Sequence, residues 1–401
     1  MSEAGGYVDA DLSTIYLDGN SLGRLPQATL SALERTVCEE WGTELIDAWE
    51  RWVGLPQRIG DLLARTVLGA AEGSVIVSDS TTVNFYKLAC AALDARPGRH
   101  TIVTDRQNFP TDRYVLEGIA AARGADIRWI DSDPVYGPSV DDVREVIDER
   151  TALVTFSHVA YRSAALADME AINGCVREAG ALNLWDLSHS VGAVPIALSA
   201  WGCDLAVGCT YKYLNGGPGS PAFLFVAPAL QSEIRQPIWG WFGQRNQFAM
   251  GQGYDPVAGI ERFLAGTPPV LALAATQVGI QLIAETGIEV LRSRSLALCE
   301  HLIALFDERL TPLGFSLGSP REAECRGGHV LLCHPDGLRI SIALREREKV
   351  IGDFRPPDGL RLAPVAAYNT PEQIDEAVRR LEVLIASGAY LEIDPASRRV
   401  T

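Results

Sequence analysis

The sequence predicts an α/β protein: a large domain on a mainly parallel, doubly wound sheet, followed by a smaller α+β domain. Two observations carry this. Between residues 74 and 227, short continuous apolar runs alternate with longer amphipathic stretches. Strands that are apolar on both faces belong to a sheet covered by helices on both sides. After the GTPP turn at 266–269 the alternation gives way to two long helical stretches and a mixture of short runs.

In chain order the expected strands are SVIVSD (74–79), TIVTD (101–105), DIRWI (126–130), LVTFSHV (153–159), LNLWDLSH (182–189), LAVGCTY (205–211) and PAFLFVA (221–227). Amphipathic segments such as SVDDVREVIDER (139–150) and DMEAINGCVREAG (168–180) supply the intervening helices. Helices follow over about 270–287 and 289–310, then the short apolar runs HVLLCH (329–334) and LRISIAL (338–344), and a last helix near 371–387. The domains divide as 1–45, a segment packing with the small domain; 46–268, the large domain; and 269–401, the small domain. There is no internal repeat and no low-complexity linker.

The 401 residues are 47% apolar and 21% charged, enough for a large core and a second domain. A net charge of −16 argues against nucleic acid or an anionic membrane as partner. The acidic start MSEAGGYVDADLS does not read as a signal peptide. No run approaches the roughly 20 apolar residues of a spanning helix. The eight cysteines are scattered without a C-x-x-C pair, as expected of thiols in a reducing cytoplasm.

The chemistry concentrates at strand ends, where open α/β sheets bind ligands. GCTYKYLNGGPGSPAFLFV (208–226) places Lys212 just after a strand, between two tyrosines and before a Gly/Pro loop. A lysine there forms an imine with an aldehyde once its pKa is lowered; a surface lysine before a tight turn is the plain alternative. LNLWDLSHSVGAVP (182–195) ends a buried strand on Asp186, with His189 three residues on. A carboxylate facing a pyridine nitrogen keeps that nitrogen protonated, although a lone aspartate at a strand end is also a common helix cap. SDSTTVNFYKLACAAL (78–93) opens a helix on Ser80, Thr81 and Thr82, a donor set suited to phosphate. QNFPTDRY (107–114) offers Phe109 to lie against a ring, and the carboxylate of Asp112. FRPPDGLRLAPVAAYNT (354–370) carries Arg355 and Arg361; one of them, preferably Arg361, is a candidate to clamp a substrate carboxylate. No metal is expected at CRGGHVLLCH (325–334), since Cys333 and His334 on one strand point to opposite faces.

In this order the pieces make a pyridoxal 5'-phosphate (PLP) site, and over nearly the whole length the chain resembles the kynureninase family of PLP fold type I, related to class V aminotransferases. The resemblance rests on YLDGNSLGRLP (16–26), TTVN, NFPTD, HVAYRS, WDLSHSVGAVP, TYKYLNGGPG, GWFG, GTPP and LRLAPVAAYN. It implies a homodimeric cytoplasmic enzyme of tryptophan catabolism. The implied reaction is hydrolysis of the Cβ–Cγ bond of L-kynurenine, 3-hydroxykynurenine or another substituted kynurenine, giving anthranilate or its hydroxy form and L-alanine. A PLP lyase such as a C–S lyase, or a class V aminotransferase acting on another amino acid, is the alternative. By the resemblance Lys212, Tyr211 and Asp186 are catalytic. Thr81, Thr82, Phe109, Asp112, Ser163, His189, Trp241 and Thr267 join them in holding the cofactor, Trp241 and Thr267 coming from the neighbouring subunit. Arg361, Ser21 and Gln244 meet the substrate. The chain departs from the family where Gln244 follows GWFG, a place that commonly holds histidine, and where AALADM follows HVAYRS.

Overall fold

The computed structural model describes residues 6–8, 11 and 13–394. Its main sheet has seven strands: β1 Val75–Val77, β2 Thr101–Asp105, β3 Asp126–Ile130, β4 Thr151–Ser157, β5 Leu182–Asp186, β6 Leu205–Gly208 and β7 Phe223–Val226. Their order across the sheet is β1-β7-β6-β5-β4-β2-β3. β7 runs antiparallel to both its neighbours, and every other pairing is parallel. Strand side chains alternate between the faces, and here both faces are apolar. Val75, Val77, Val103, Val154, Phe156, Trp185 and Ala206 enter one core, while Ile76, Ile102, Leu153, Leu184, Leu205 and Val207 enter the other. This double burial is why the strands read as unbroken apolar runs.

The small domain has a four-stranded antiparallel sheet of β8 Ser316–Leu317, β9 Val330–Cys333, β10 Asp353–Arg355 and β11 Gly359–Leu362, ordered β10-β11-β9-β8. The run LRISIAL is helix (Gly337–Arg347) rather than strand. Its alternate apolar residues fit a strand, but Ser341 and Ala343 are buried too, so the segment is enclosed as a helix against β10 and β11. The N-terminal Ile15–Tyr16 pairs in parallel with Val350–Ile351, and Ile15 and Leu17 lie in the small-domain core.

Helix Val270–Thr286 buries Leu273, Ile280 and Ile283 in the large-domain core. We therefore propose a domain division near Gly287 rather than after residue 268. Gly279 explains itself: a Cβ there would sit 2.0 Å from the carbonyl oxygen of Leu214. Closeness to the loop that carries Lys212 outweighs the roughly 1 kcal/mol that glycine costs inside a helix. Among the described residues no single helix is long and apolar enough to cross a membrane. All eight cysteines are free.

Candidate active site

Asp186 is the last residue of β5, and Lys212 follows the adjacent β6 by four residues, so both stand at the carboxyl edge of the sheet. The loop after β6 is closed by Gly216 N donating to Thr210 O (2.9 Å) and Asn215 N to Lys212 O (2.9 Å). From the N-terminal segment Gly23 N donates to Tyr211 O at 2.8 Å. Lys212 Nζ lies 3.2 Å from His189 Nε2 and 5.8 Å from the ring centres of both Phe109 and Tyr211. Burial lowers the lysine's pKa, opposed by Cys209 and Asp186 and reinforced by Arg361 and Arg355. Burial and then Lys212 hold His189 far below the usual imidazole range, so it is neutral beside the amine. Burial likewise pushes the Tyr211 phenol up, keeping its proton.

Asp112 and Asp186 face each other as a buried acid pair. Burial first, and then Asp186, raise the pKa of Asp112 well above the carboxylate range. Burial also raises that of Asp186, against the hydrogen bonds from Ser188, whose amide donates to Asp186 Oδ1 at 2.8 Å. Asp112 Oδ2 is buried without a hydrogen-bond partner. A carboxylate pair short of a cationic donor is what a protonated pyridine nitrogen completes. At the other end, Ser80, Thr81, Tyr211, Ser220 and Thr267 are among the residues lining a cavity of about 450 Å³ at the N-terminus of helix Thr81–Asp94. Ser80 caps that helix by accepting from Val83 N at 3.3 Å, leaving the other first-turn donors directed at an anion. The residues present therefore fit PLP at both its nitrogen and its phosphate.

Arg361 on β11 stands directly opposite Asp353 on β10. Its Nε donates to Asp353 Oδ1 (2.9 Å), Nη2 to Asp353 Oδ2 and to Ser21 Oγ (3.0 Å), and Nη1 to Tyr161 O. Nη1 also lies 3.5 Å from His189 Nε2. The buried guanidinium thus meets His189 through Nη1 and, beyond it, Lys212.

Not every expected residue gathers here. Thr82 is exposed and does not line the cavity. Ser163 is buried and accepts from Ala165 N at 3.2 Å, near Tyr161, whose ring meets Phe109 edge-on at 5.3 Å. Thr267, expected from a neighbouring subunit, lines the cavity together with Thr81 of its own chain, because GTPP leads straight into the helix packed under that wall. Trp241 lies off the cavity, exposed and edge-on to Phe242 and Phe248. Gln244, on the same segment, accepts from Asp255 N at 2.7 Å. Three participants escaped the sequence reading. Asp353 is visible only through strand register. Tyr161 acts by its carbonyl. His329, met edge-on by His189 at 6.0 Å, stands in the apolar run HVLLCH, where no metal is expected.

A class V aminotransferase family model matches residues 60–329, and a kynureninase C-terminal domain model matches 291–381. A kynureninase from Pseudomonas fluorescens is 43% identical over 92% of this chain and 88% of its own, and one from Burkholderia pseudomallei 41% identical over 96% and 92%. The chain belongs to the kynureninase family. Kynureninases form a PLP-dependent family of hydrolases, and the cofactor fits the site described above. The fold extends further: C-DES, solved with glycine linked to its PLP cofactor, superposes with a TM-score of 0.81 at 20% identity, covering 92% of this chain and 97% of that one. In this kynureninase-family chain the strand end bearing Asp186 is supported from beneath by His158, whose amide donates to Asp186 O at 2.9 Å.

The His158 ring sits edge-on to Trp185 and Trp201 with Nδ1 unpartnered, and burial, with Arg292 adding, lowers its pKa from 6.5 to about 3. The unfolded chain then binds more protons than the folded one between those values, so stability falls as pH drops through that window. This group alone is expected to remove about 2 kcal/mol between pH 7 and pH 5. Urea denaturation at the two pH values checks it. An equally steep loss in His158→Gln would show that other groups carry the acid sensitivity.

Proposed function

We propose that this chain hydrolyses the Cβ–Cγ bond of L-kynurenine or a ring-substituted kynurenine, releasing anthranilate or its hydroxy form and L-alanine. One observation carries the reading: Arg361 Nη1 lies 3.5 Å from His189, which lies 3.2 Å from Lys212. A carboxylate clamp and an amine-handling lysine are thereby set at the two ends of one α-amino acid. The names of the relatives supply the substrate class.

When bound, PLP supplies an electron sink for charge developing at the substrate's Cα and Cβ. The protein does the rest. Asp186, supported by Asp112, would hold the proton on the ring nitrogen. The helix start at Ser80 and Thr81, with Tyr211 and Thr267, would receive the phosphate, and Phe109 would lie against the ring. Thr82, Ser163 and Trp241 do not line this cavity, and only the family resemblance speaks for them as cofactor residues. Lys212, its amine made available by a lowered pKa, takes and returns the proton at Cα. Arg361 and Ser21 hold the substrate carboxylate, and the Tyr211 phenol, kept protonated, is placed to donate. Water adds at the γ-carbonyl, so one water is consumed for each anthranilate and alanine released.

A shared-site homodimer accounts for Trp41, Ile46, Trp239, Trp241, Phe248 and Met250, large apolar side chains that stand exposed. Eight free thiols suit the cytoplasm. Membership of tryptophan catabolism follows from the substrate.

Incubation of the PLP-loaded enzyme with L-kynurenine should yield anthranilate and alanine in equal amounts, read by fluorescence and amino-acid analysis. Alanine or pyruvate from another amino acid, with no anthranilate, would identify a different PLP enzyme of the same fold. Gln244→His is expected to change the ratio of kcat/KM for kynurenine to that for 3-hydroxykynurenine by about threefold or more, the effect of one altered pocket contact. An unchanged ratio removes Gln244 from the aryl pocket.

A further inference from the structure

Lys87 is fully buried on helix Thr81–Asp94, two turns from the phosphate-facing end, and none of the chemistry above uses it. Its Nζ lies 2.5 Å from Asp79 Oδ2 and donates to Phe263 O at 2.8 Å. Asp79 lines the cavity with Ser80 and Thr81, and its φ is +50°, a left-handed conformation that non-glycine residues seldom adopt. The turn around it is tied down on every side. Ala222 N donates to Asp79 O (2.9 Å), Asn84 Nδ2 to Ser78 O (2.8 Å) and Asn84 N to Ser80 O (2.9 Å). Phe263 immediately precedes Leu264–Pro269, the opposite wall of the same cavity.

A carboxylate beside a phosphate site is electrostatically wrong unless it is neutralised. A fully buried ammonium is equally unfavourable without a partner. Each solves the other's problem, and the third contact fastens the far wall to the same point. From this we infer that Lys87 is a positioning residue of the phosphate cradle: it cancels the charge of Asp79, holds the strained turn at Ser78–Ser80, and ties the Leu264–Pro269 wall to the helix whose N-terminus receives the phosphate. This rests on the reading that the cavity takes the cofactor's phosphate.

The test compares equilibrium binding of PLP and of pyridoxal, which lacks the phosphate, to the cofactor-free protein, followed by absorbance. Wild type should prefer PLP strongly; equal affinities would sink the phosphate reading itself, independently of Lys87. Lys87→Met should lower the preference for PLP over pyridoxal by about tenfold or more, as expected for an uncompensated charge at an anion site. Asp79→Asn placed on Lys87→Met should restore much of that preference, because the offending charge is gone. Asp79→Asn alone should keep or strengthen phosphate binding, and it serves where Lys87→Met does not fold. A wild-type preference in Lys87→Met, no recovery in the double variant, or lost phosphate binding in Asp79→Asn would each overturn the inference.

Discussion

Lys212→Ala is expected to bind PLP without attaching it and to lose turnover by on the order of 10⁴-fold, the upper range for removal of a positioned proton-transfer group. Two losses combine. The substituted protein has no amine to hold the cofactor covalently, and no group at 3.2 Å from His189 to move the proton at Cα. His189 is not a substitute. Burial and the two arginines that remain, Arg361 and Arg355, keep it far from protonation, and its ring is also directed toward Arg361 and His329. Borohydride reduction followed by mass analysis reads the attachment directly: wild type gains the cofactor's mass at Lys212 and the variant does not. Turnover of kynurenine reads the second loss. A variant within about tenfold of wild-type kcat would move the proton-transfer role to another residue.

How much of this site was legible beforehand depends on how far apart its members lie in the chain. Asp186 and Lys212 were legible because each follows an unbroken apolar strand, and strand ends are where such sheets bind ligands. The phosphate-facing helix start was legible for the same reason, since hydroxyls directly after β1 announce a cap. Contacts made across strand register were not. Asp353 meets Arg361 only because β10 and β11 pair antiparallel in that register, and Ser21 reaches the same guanidinium across 340 residues. Nor does a sequence reveal that β7 runs against its neighbours, or that Thr267 returns to its own chain's cavity rather than only to a partner's. Lys87 illustrates the limit best. In the sequence it is one lysine on a helix, and only three-dimensional enclosure shows that its ammonium is fully buried with two protein partners.

The acid pair and the arginine cluster belong to one electrostatic arrangement. Asp112 and Asp186 are the carboxylates proposed for the cofactor nitrogen, Arg361 and Arg355 the arginines considered for the substrate carboxylate, and both sets interact electrostatically with Lys212. Burial lowers the lysine's pKa; Asp186 works against this shift and the two arginines with it. A second arrangement of the same kind sits behind the arginines, where Asp353 is shared between Arg361 and Arg355, the latter at 2.7 Å. Asp18, close by, is pushed up to about 7 by burial and by Asp353. Arg361, the proposed substrate clamp, thus hangs on a buried carboxylate that has more than one cation to satisfy it.

That redundancy makes Arg361 open to substitution without collapse. Removing one partner of a buried ion pair ordinarily costs about 3–5 kcal/mol through the charge left behind. Here Asp353 keeps Arg355, and Ser21 Oγ still donates to it at 2.7 Å. Arg361→Lys is therefore expected to fold, to bind PLP with wild-type absorbance, and to lose kcat/KM for kynurenine by on the order of 10²-fold, the worth of a charge-assisted hydrogen bond. A lysine keeps the charge but offers no planar fork. It cannot hold Asp353, the Tyr161 carbonyl and a substrate carboxylate together. Most of the loss should appear in KM, because the carboxylate is held alike before and during reaction. Steady-state kinetics separate the terms. A loss confined to kcat would mean that Arg361 acts on the reacting atoms through His189, and an unchanged kcat/KM would give the carboxylate to Arg355.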